Sequence, residues 1–325
     1  MKRLFILFAL FISISLSGQT ISDYQAFYAV AFSPKNHQQY VVIRKFIQNG
    51  KTHYLAVDPL TLSSKIFESR KLNITTVGSL TSIESKLKNT EYFKSLKLVN
   101  ENSQILQDAG ITHLNPSGKG VFLTIDLCPS QRPLDKDIFT NIMEEFGKVE
   151  SPVPIAISIT GAWIKKHPDD LTWLRKLVRK RQVDILWINH TYNHRTSKTL
   201  PLTQNFMLEK GTNITFEILE NEKFMIENHL LPSVFFRFPG LVSDKELFKK
   251  VTSFGLIPVG SDAWLAKNQI PTEGSIILIH ANGNEPYGIK KFIELISSEK
   301  ENIKSQNWLL MDLRESLDKE EKNRK

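Results

Sequence analysis

The sequence predicts an α/β protein: a distorted seven-stranded (β/α) barrel or a related open parallel sheet, preceded by a small N-terminal α+β domain. Three observations carry this. Short, continuously apolar, β-branched runs recur seven times after Gly120, at 121–125, 154–159, 183–188, 234–236, 256–259, 275–279 and 308–311. Runs without polar alternation belong to strands buried on both faces, as in parallel sheets. Amphipathic stretches at 170–179, 216–228 and 287–298 supply helices to cover such a sheet. Finally, 325 residues with 41% hydrophobic and 23% charged side chains, 15 Gly and 14 Pro suffice for two domains, and they exclude a disordered or collagen-like chain.

Taken in order, Met1-Lys2-Arg3, the apolar residues 4–12 and the small-residue stretch 13–18 follow the layout of a secretory signal peptide over residues 1–18. The apolar part is shorter than the roughly 20 residues that span a bilayer. The expected mature protein is therefore exported, periplasmic or extracellular, without a membrane span. Its net charge falls from +8 to +6 when Lys2 and Arg3 leave. That surplus suits an anionic surface, but no Lys/Arg cluster with interleaved aromatics marks a nucleic-acid site. Residues 19–117 read as the accessory domain. Strand-like runs at 40–48 and 51–57 flank Asn49-Gly50, a strong hairpin signal, and helical patterns follow at 82–88 and 101–108. His37, His53 and His113 are scattered, and no chemistry is expected of them. Asn115-Pro116-Ser117-Gly118 is the expected boundary; residues 118–317 form the main domain and 318–325 a charged tail. Cys128 is the single cysteine, which excludes a disulfide framework and a Cys-rich zinc finger and leaves a metal to histidines and carboxylates.

In parallel α/β architectures the reacting groups sit just past the C-terminal ends of the strands. Five of the apolar runs here end in polar groups of catalytic type: Asp126, then Asn189-His190-Thr191-Tyr192-Asn193-His194, then Arg237, Asp262 and His280. Each alone has an ordinary explanation. Together they supply two carboxylates, three imidazoles and a guanidinium to one end of the sheet. His190 and His194 have the spacing of two imidazoles on one side of a helical turn, close enough to share a metal. The set fits hydrolysis, with a metal polarising a carbonyl, a carboxylate taking a proton from water and an imidazolium protonating the leaving group.

These residues resemble the NodB-homology polysaccharide deacetylases over roughly residues 118–317. The family's TFDDGP motif is similar to Thr124-Ile125-Asp126-Leu127-Cys128-Pro129, and its H-[ST]-x-x-H motif is matched by His190-Thr191-Tyr192-Asn193-His194. Arg237-Phe238-Pro239-Gly240, Asp262-Ala263-Trp264 and Leu278-Ile279-His280 resemble the remaining three motifs in order. The resemblance implies the family's distorted seven-stranded (β/α) barrel and an enzyme that removes N-acetyl groups from an amino-sugar polymer such as peptidoglycan, chitin-like chains or poly-N-acetylglucosamine. It implies Asp126 as base, His280 as acid, Arg237 orienting Asp126, and Asp262 paired with His280. It further implies His190 and His194 as ligands of a divalent metal such as zinc, Trp264 and Leu278 as an apolar wall for the acetyl methyl, and the Gly240 backbone N–H as an oxyanion donor. Leu127 stands where the family has its third, aspartate ligand, so weakened or absent metal is expected. Cys128 stands where the family carries glycine and is expected to be a small buried residue. Two alternatives remain open, a catalytically silent glycan-binding protein and a metal-independent amide hydrolase.

Overall fold

The computed structural model describes residues 20–101, 103–115 and 118–315. The expected signal peptide, Pro116 and Ser117 of the expected boundary, and the charged tail lie outside the described residues. Among those described, no helix is long and apolar enough to cross a membrane.

The chain opens with an antiparallel sheet of β1 (Ile21–Phe32), β2 (Gln39–Gln48), β3 (Lys51–Val57), β4 (Ser64–Glu68) and β5 (Asn73–Gly78), in the order β4-β3-β2-β1-β5. Asn49 and Gly50 join β2 to β3 with φ of 52° and 73°, the two positive values a tight hairpin turn demands. Two helices follow, α1 (Leu80–Leu87) and α2 (Glu91–Glu101). The helical pattern expected over 101–108 is not a helix: beyond Glu101 the backbone turns outward to other partners, Asp108 N–H donating to Leu241 O at 3.0 Å.

From Gly120 the chain alternates strand and helix: β6 (Gly120–Leu127), α3 (Lys136–Glu145), β7 (Val153–Ile159), α4 (Gly161–Lys166), α5 (Pro168–Arg179), β8 (Val183–Asn189), α6 (Ile214–Glu227), β9 (Pro232–Phe236), α7 (Lys245–Ser253), β10 (Ile257–Pro258), β11 (Ala263–Trp264), β12 (Ile276–His280), α8 (Pro286–Ser298), α9 (Lys300–Lys304) and β13 (Leu309–Leu310). The parallel path runs β10-β9-β8-β7-β6-β12-β11, with β13 paired to the start of β6. It is the seven-stranded distorted (β/α) barrel, with one correction to the strand count. The run at 308–311 contributes the side branch β13, and the seventh strand of the path is Ala263–Trp264. Ala263–Trp264 lies in no β-branched apolar run, since Ser261 and Asp262 precede it and Lys267 and Asn268 follow soon after, so there was nothing to detect.

Strand alternation sorts the core into two layers. Val121, Leu123, Ile125 and Leu127 face outward into a cluster with Ile138, Phe139, Leu174 and Phe292 of the covering helices. Phe122, Ala156, Leu186, Ile188 and Phe236 belong to a second cluster that continues without a break into Val41, Ile43, Phe46 and Leu55 of the N-terminal sheet and Tyr92 and Phe93 of α2. Residues 107–114 lie along the open seam between β10 and the start of β12. Ile111 pairs with Val259 beyond β10, and His113 pairs with Ser275 before β12. Their bonds are Ile111 N–H to Pro258 O at 3.0 Å, Gly260 N–H to Ile111 O at 2.8 Å and Leu114 N–H to Gly274 O at 3.0 Å.

Candidate active site

The C-terminal end of β6 sets the pattern. Thr124 and Asp126 alternate with the outward residues, and Cys128 is the next position on their side, whereas Leu127 is fully buried among the outer-layer apolar residues. Leu127 therefore faces away from the site. Asp126, 3% exposed, has one carboxylate oxygen 3.6 Å from Arg237 Nη1 and the other 3.6 Å from His190 Nε2. Burial pushes its pKa up, but Arg237, His190, His280 and the Ser158 hydroxyl outweigh it, and the carboxyl is held below its ordinary value. Arg237, fully buried just past β9, donates from Nη2 to Gly260 O at 3.0 Å, while its Nε and Nη1 have no hydrogen-bond partner.

The loop after β8 carries both histidines, and it is not a helical turn as the spacing predicts. Thr191 and His194 have φ of 69° and 49°. The loop folds back on itself, His194 N–H donating to Thr191 Oγ1 at 3.2 Å, and the two rings stand 4.8 Å apart at 67°. His190 Nδ1 lies 2.9 Å from Arg237 O, a contact in which only the ring can donate, so Nε2 is left facing Cys128 Sγ at 3.5 Å. His194 is 9% exposed, and neither of its ring nitrogens has a hydrogen-bond partner.

Cys128 thus joins the two histidines. Its Sγ and one nitrogen of each ring all lie within 4.8 Å of one another. Burial raises the thiol's pKa, but the neighbouring His194 and His280 bring it down to about 7. The expectation placed a metal on histidines and carboxylates; among the described residues, the group that could hold one is a thiol with two imidazoles. This donor set fits zinc: soft sulfur with imidazole, three protein donors, a fourth position open, and one imidazole oriented by a backbone carbonyl. The orphaned nitrogens of buried His194 are what a site built to receive a cation leaves behind.

His280 ends β12 in register with Asp126. Its Nδ1 lies 2.8 Å from Glu285 Oε2, and the same oxygen accepts from Trp264 Nε1 at 2.8 Å. Burial disfavours the imidazolium, but Cys128, Glu285 and Asp126 outweigh it and raise the His280 pKa well above its ordinary value. Asp262 does not pair with His280, a second correction. Its carboxylate accepts from Ile276 N–H at 2.9 Å and Ser275 Oγ at 3.2 Å and faces His113 Nδ1 at 2.7 Å. The cause is topological. Asp262 precedes β11 instead of ending β10, so it lies beside the start of β12, about 13 Å of extended strand from His280.

Trp264 thus touches the site through Glu285, and its ring lies 6.0 Å from that of His280. Leu278, 1% exposed, shares the His280 side of β12. Gly240, in the short turn beyond Arg237, has φ of 62°, and a Cβ there would lie 2.4 Å from the Phe206 ring, which itself stands 6.0 Å from the His194 ring. Beside Cys128 and beyond His280 in the chain, Pro129, Ser130, Arg132, Lys166 and Asn284 line an open cavity of about 640 Å³.

No protein-family model matches the chain. Among solved structures it is similar to a family 4 carbohydrate esterase from Bacillus anthracis, at 17% identity over 67% of this chain and 88% of that one, TM-score 0.46. PdaA, a family 4 carbohydrate esterase from Bacillus subtilis, is similar at 14% identity over 67% and 86%, TM-score 0.46. A family 4 pseudoenzyme from Bacillus anthracis is similar at 17% identity over 82% and 85%, TM-score 0.44.

Proposed function

We propose that this protein is an exported hydrolase that removes N-acetyl groups from an amino-sugar polymer. One observation carries the reading: Asp126, Cys128, His190, His194, Arg237 and His280, drawn from four strand ends, converge in a buried cluster whose Asp126, Arg237 and His194 keep unpartnered polar atoms. Such orphans are costly in a core and belong to a site that receives a polar ligand. The basic, apolar and small-residue order of residues 1–18 supports export.

In the reaction Asp126, kept ionised by Arg237, takes a proton from water as its oxygen attacks the acetamide carbonyl. His280, kept protonated by Cys128 and Glu285, gives its proton to the departing amine. The products are acetate and the free amino sugar, and water supplies both the hydroxyl and the proton that balance them. Cys128, His190 and His194 would hold a divalent metal, which supplies Lewis-acid polarisation of the carbonyl when bound. Gly240 N–H is the proposed oxyanion donor, and Trp264 and Leu278 the proposed wall for the methyl.

Acetate release from N-acetylated chito-oligosaccharides and from peptidoglycan tests this. The expected result is activity lost with chelator, restored by zinc and absent in Asp126→Asn. Chelator-resistant activity would indicate metal-free chemistry, and oligosaccharide binding without acetate release under any metal would indicate a silent glycan-binding protein.

A further inference from the structure

A buried polar path runs from the N-terminal sheet to the loop that carries the two histidines. Arg44 on β2 is fully buried, as is Glu222 on α6. They form a two-pronged ion pair, Nε to Oε2 at 2.6 Å and Nη2 to Oε1 at 2.9 Å, while Nη1 donates to Ile43 O at 2.8 Å and Phe254 O at 2.7 Å. Tyr24 Oη on β1 adds a 3.0 Å bond to Glu222 Oε2. On the other side of Glu222, Oε1 accepts from Asn189 Nδ2 at 3.4 Å. Asn189 is the residue before His190, and its Oδ1 accepts from Thr191 N–H at 3.0 Å and from Asn221 Nδ2 on α6 at 2.8 Å. Glu217, also on α6, accepts from Asn193 N–H and Asn193 Nδ2, both at 2.8 Å, and its carbonyl takes Tyr192 N–H at 3.0 Å. Thr191, Tyr192 and Asn193, the three residues between the histidines, are thus tied by backbone N–H to Asn189 or to α6.

Two buried charges cost several kcal/mol to desolvate, and apolar side chains would pack α6 on the sheet as well or better. What the two-pronged pair adds is a fixed rotation and register for α6. We propose that Arg44 is a positioning residue for the metal-binding loop: by locking Glu222 and α6 it sets the separation of His190, His194 and Cys128. The N-terminal sheet is then part of the site's framework. This rests on the reading that those three residues hold a metal.

The test titrates the metal-free, full-length mature protein with cobalt(II), following thiolate-to-cobalt absorption, and measures hydrogen exchange at Thr191–Asn193 without metal. The double variant Arg44→Met/Glu222→Met removes the path without leaving an unpaired charge. It is expected to bind cobalt about 3- to 10-fold more weakly, less than the ~10–100-fold cost of losing a ligand's direct partner, and to exchange faster at those amides. Tyr24→Phe, which removes only the hydroxyl on Glu222, shifts both readouts in the same direction by less and serves if the double variant does not fold. Tyr92→Phe removes a different bond between the two halves, Tyr92 Oη to Gly255 O at 2.7 Å, and leaves both unchanged. Unaltered cobalt affinity and exchange in the folded path variants, or equal effects in Tyr92→Phe, overturns the proposal. A parent protein that binds no cobalt overturns the metal reading instead, and exchange alone then decides the role of Arg44.

Discussion

Asp126 and His280 stand opposite each other on neighbouring strands, and their surroundings drive them to opposite charge states against the pull of burial. The signs fix the pH behaviour. Asp126 is held below its ordinary value, so it is ionised above that lowered point. His280 is held above its ordinary value, so it stays protonated until the pH passes that raised point. The rate of acetate release is expected to form a bell, falling on the acid side as Asp126 takes up a proton and on the alkaline side as His280 loses one. Glu285→Gln removes one cause of the raised His280 value, so the alkaline limb should move toward neutrality and kcat should fall by about tenfold, less than the ~10²–10⁴-fold worth of a whole general acid or base; a pH–rate profile of the two proteins checks it. Leu127→Asp should place a carboxylate in the outer apolar layer, destabilise the fold by several kcal/mol and leave zinc affinity unimproved, as denaturation and metal titration will report.

The same residues show how far the chain can be read by eye. Asp126, His190, His194, Arg237 and His280 were legible because each follows an apolar run. Cys128 was legible in principle, since a period of two puts it on the Asp126 side and turns Leu127 away, but the family motif has glycine at that position and so marks no ligand there. Glu285 carried no such signal. It reaches His280 because the loop after β12 doubles back before α8, and nothing local in Gly283-Asn284-Glu285-Pro286 encodes that.

Among elements, the buried parallel strands and α5, α6 and α8 were legible as apolar runs and amphipathic stretches, whereas β1, α2, α3, α7 and β11 were not. β11 is held by pairing with β12 and has no apolar run of its own. The polar loop after β8 takes its shape from α6, through Asn189, Glu217 and Asn221, and a spacing of four residues carried no information about that. The turn after β9 is equally contextual. Gly240→Ala combines a left-handed backbone with a Cβ that meets the Phe206 ring, and it should lower stability by about 1–3 kcal/mol. Thermal melting measures the loss. Replacing Phe206 by leucine in the same chain is expected to return part of it, since the steric share would be relieved and the backbone share would remain.

For the whole molecule, one apolar cluster runs from the barrel interior into the N-terminal sheet, so the two halves are expected to unfold together. A chain beginning at Gly118 would leave Phe248, Val251 and Leu256 without the partners that bury them and would strand Glu222 without Arg44. It is expected to be insoluble or to melt without a cooperative transition, which calorimetry of the truncated and full-length mature proteins will distinguish. Composition marked a change of pattern near residue 118 but not this shared core, because apolar residues carry no label for the neighbour they meet.

The seam has a consequence for how the protein is made. Residues 107–114 leave the ribosome before any of the parallel strands, yet their partners at Pro258, Gly260 and Gly274 are synthesised some 150 residues later. A nascent chain must therefore carry an unzipped edge through most of translation, with its amides and carbonyls satisfied only by water until the last third arrives. Final closure becomes a late, long-range event of the kind that slows folding, and the unclosed intermediate is the species most exposed to strand exchange with a neighbouring chain.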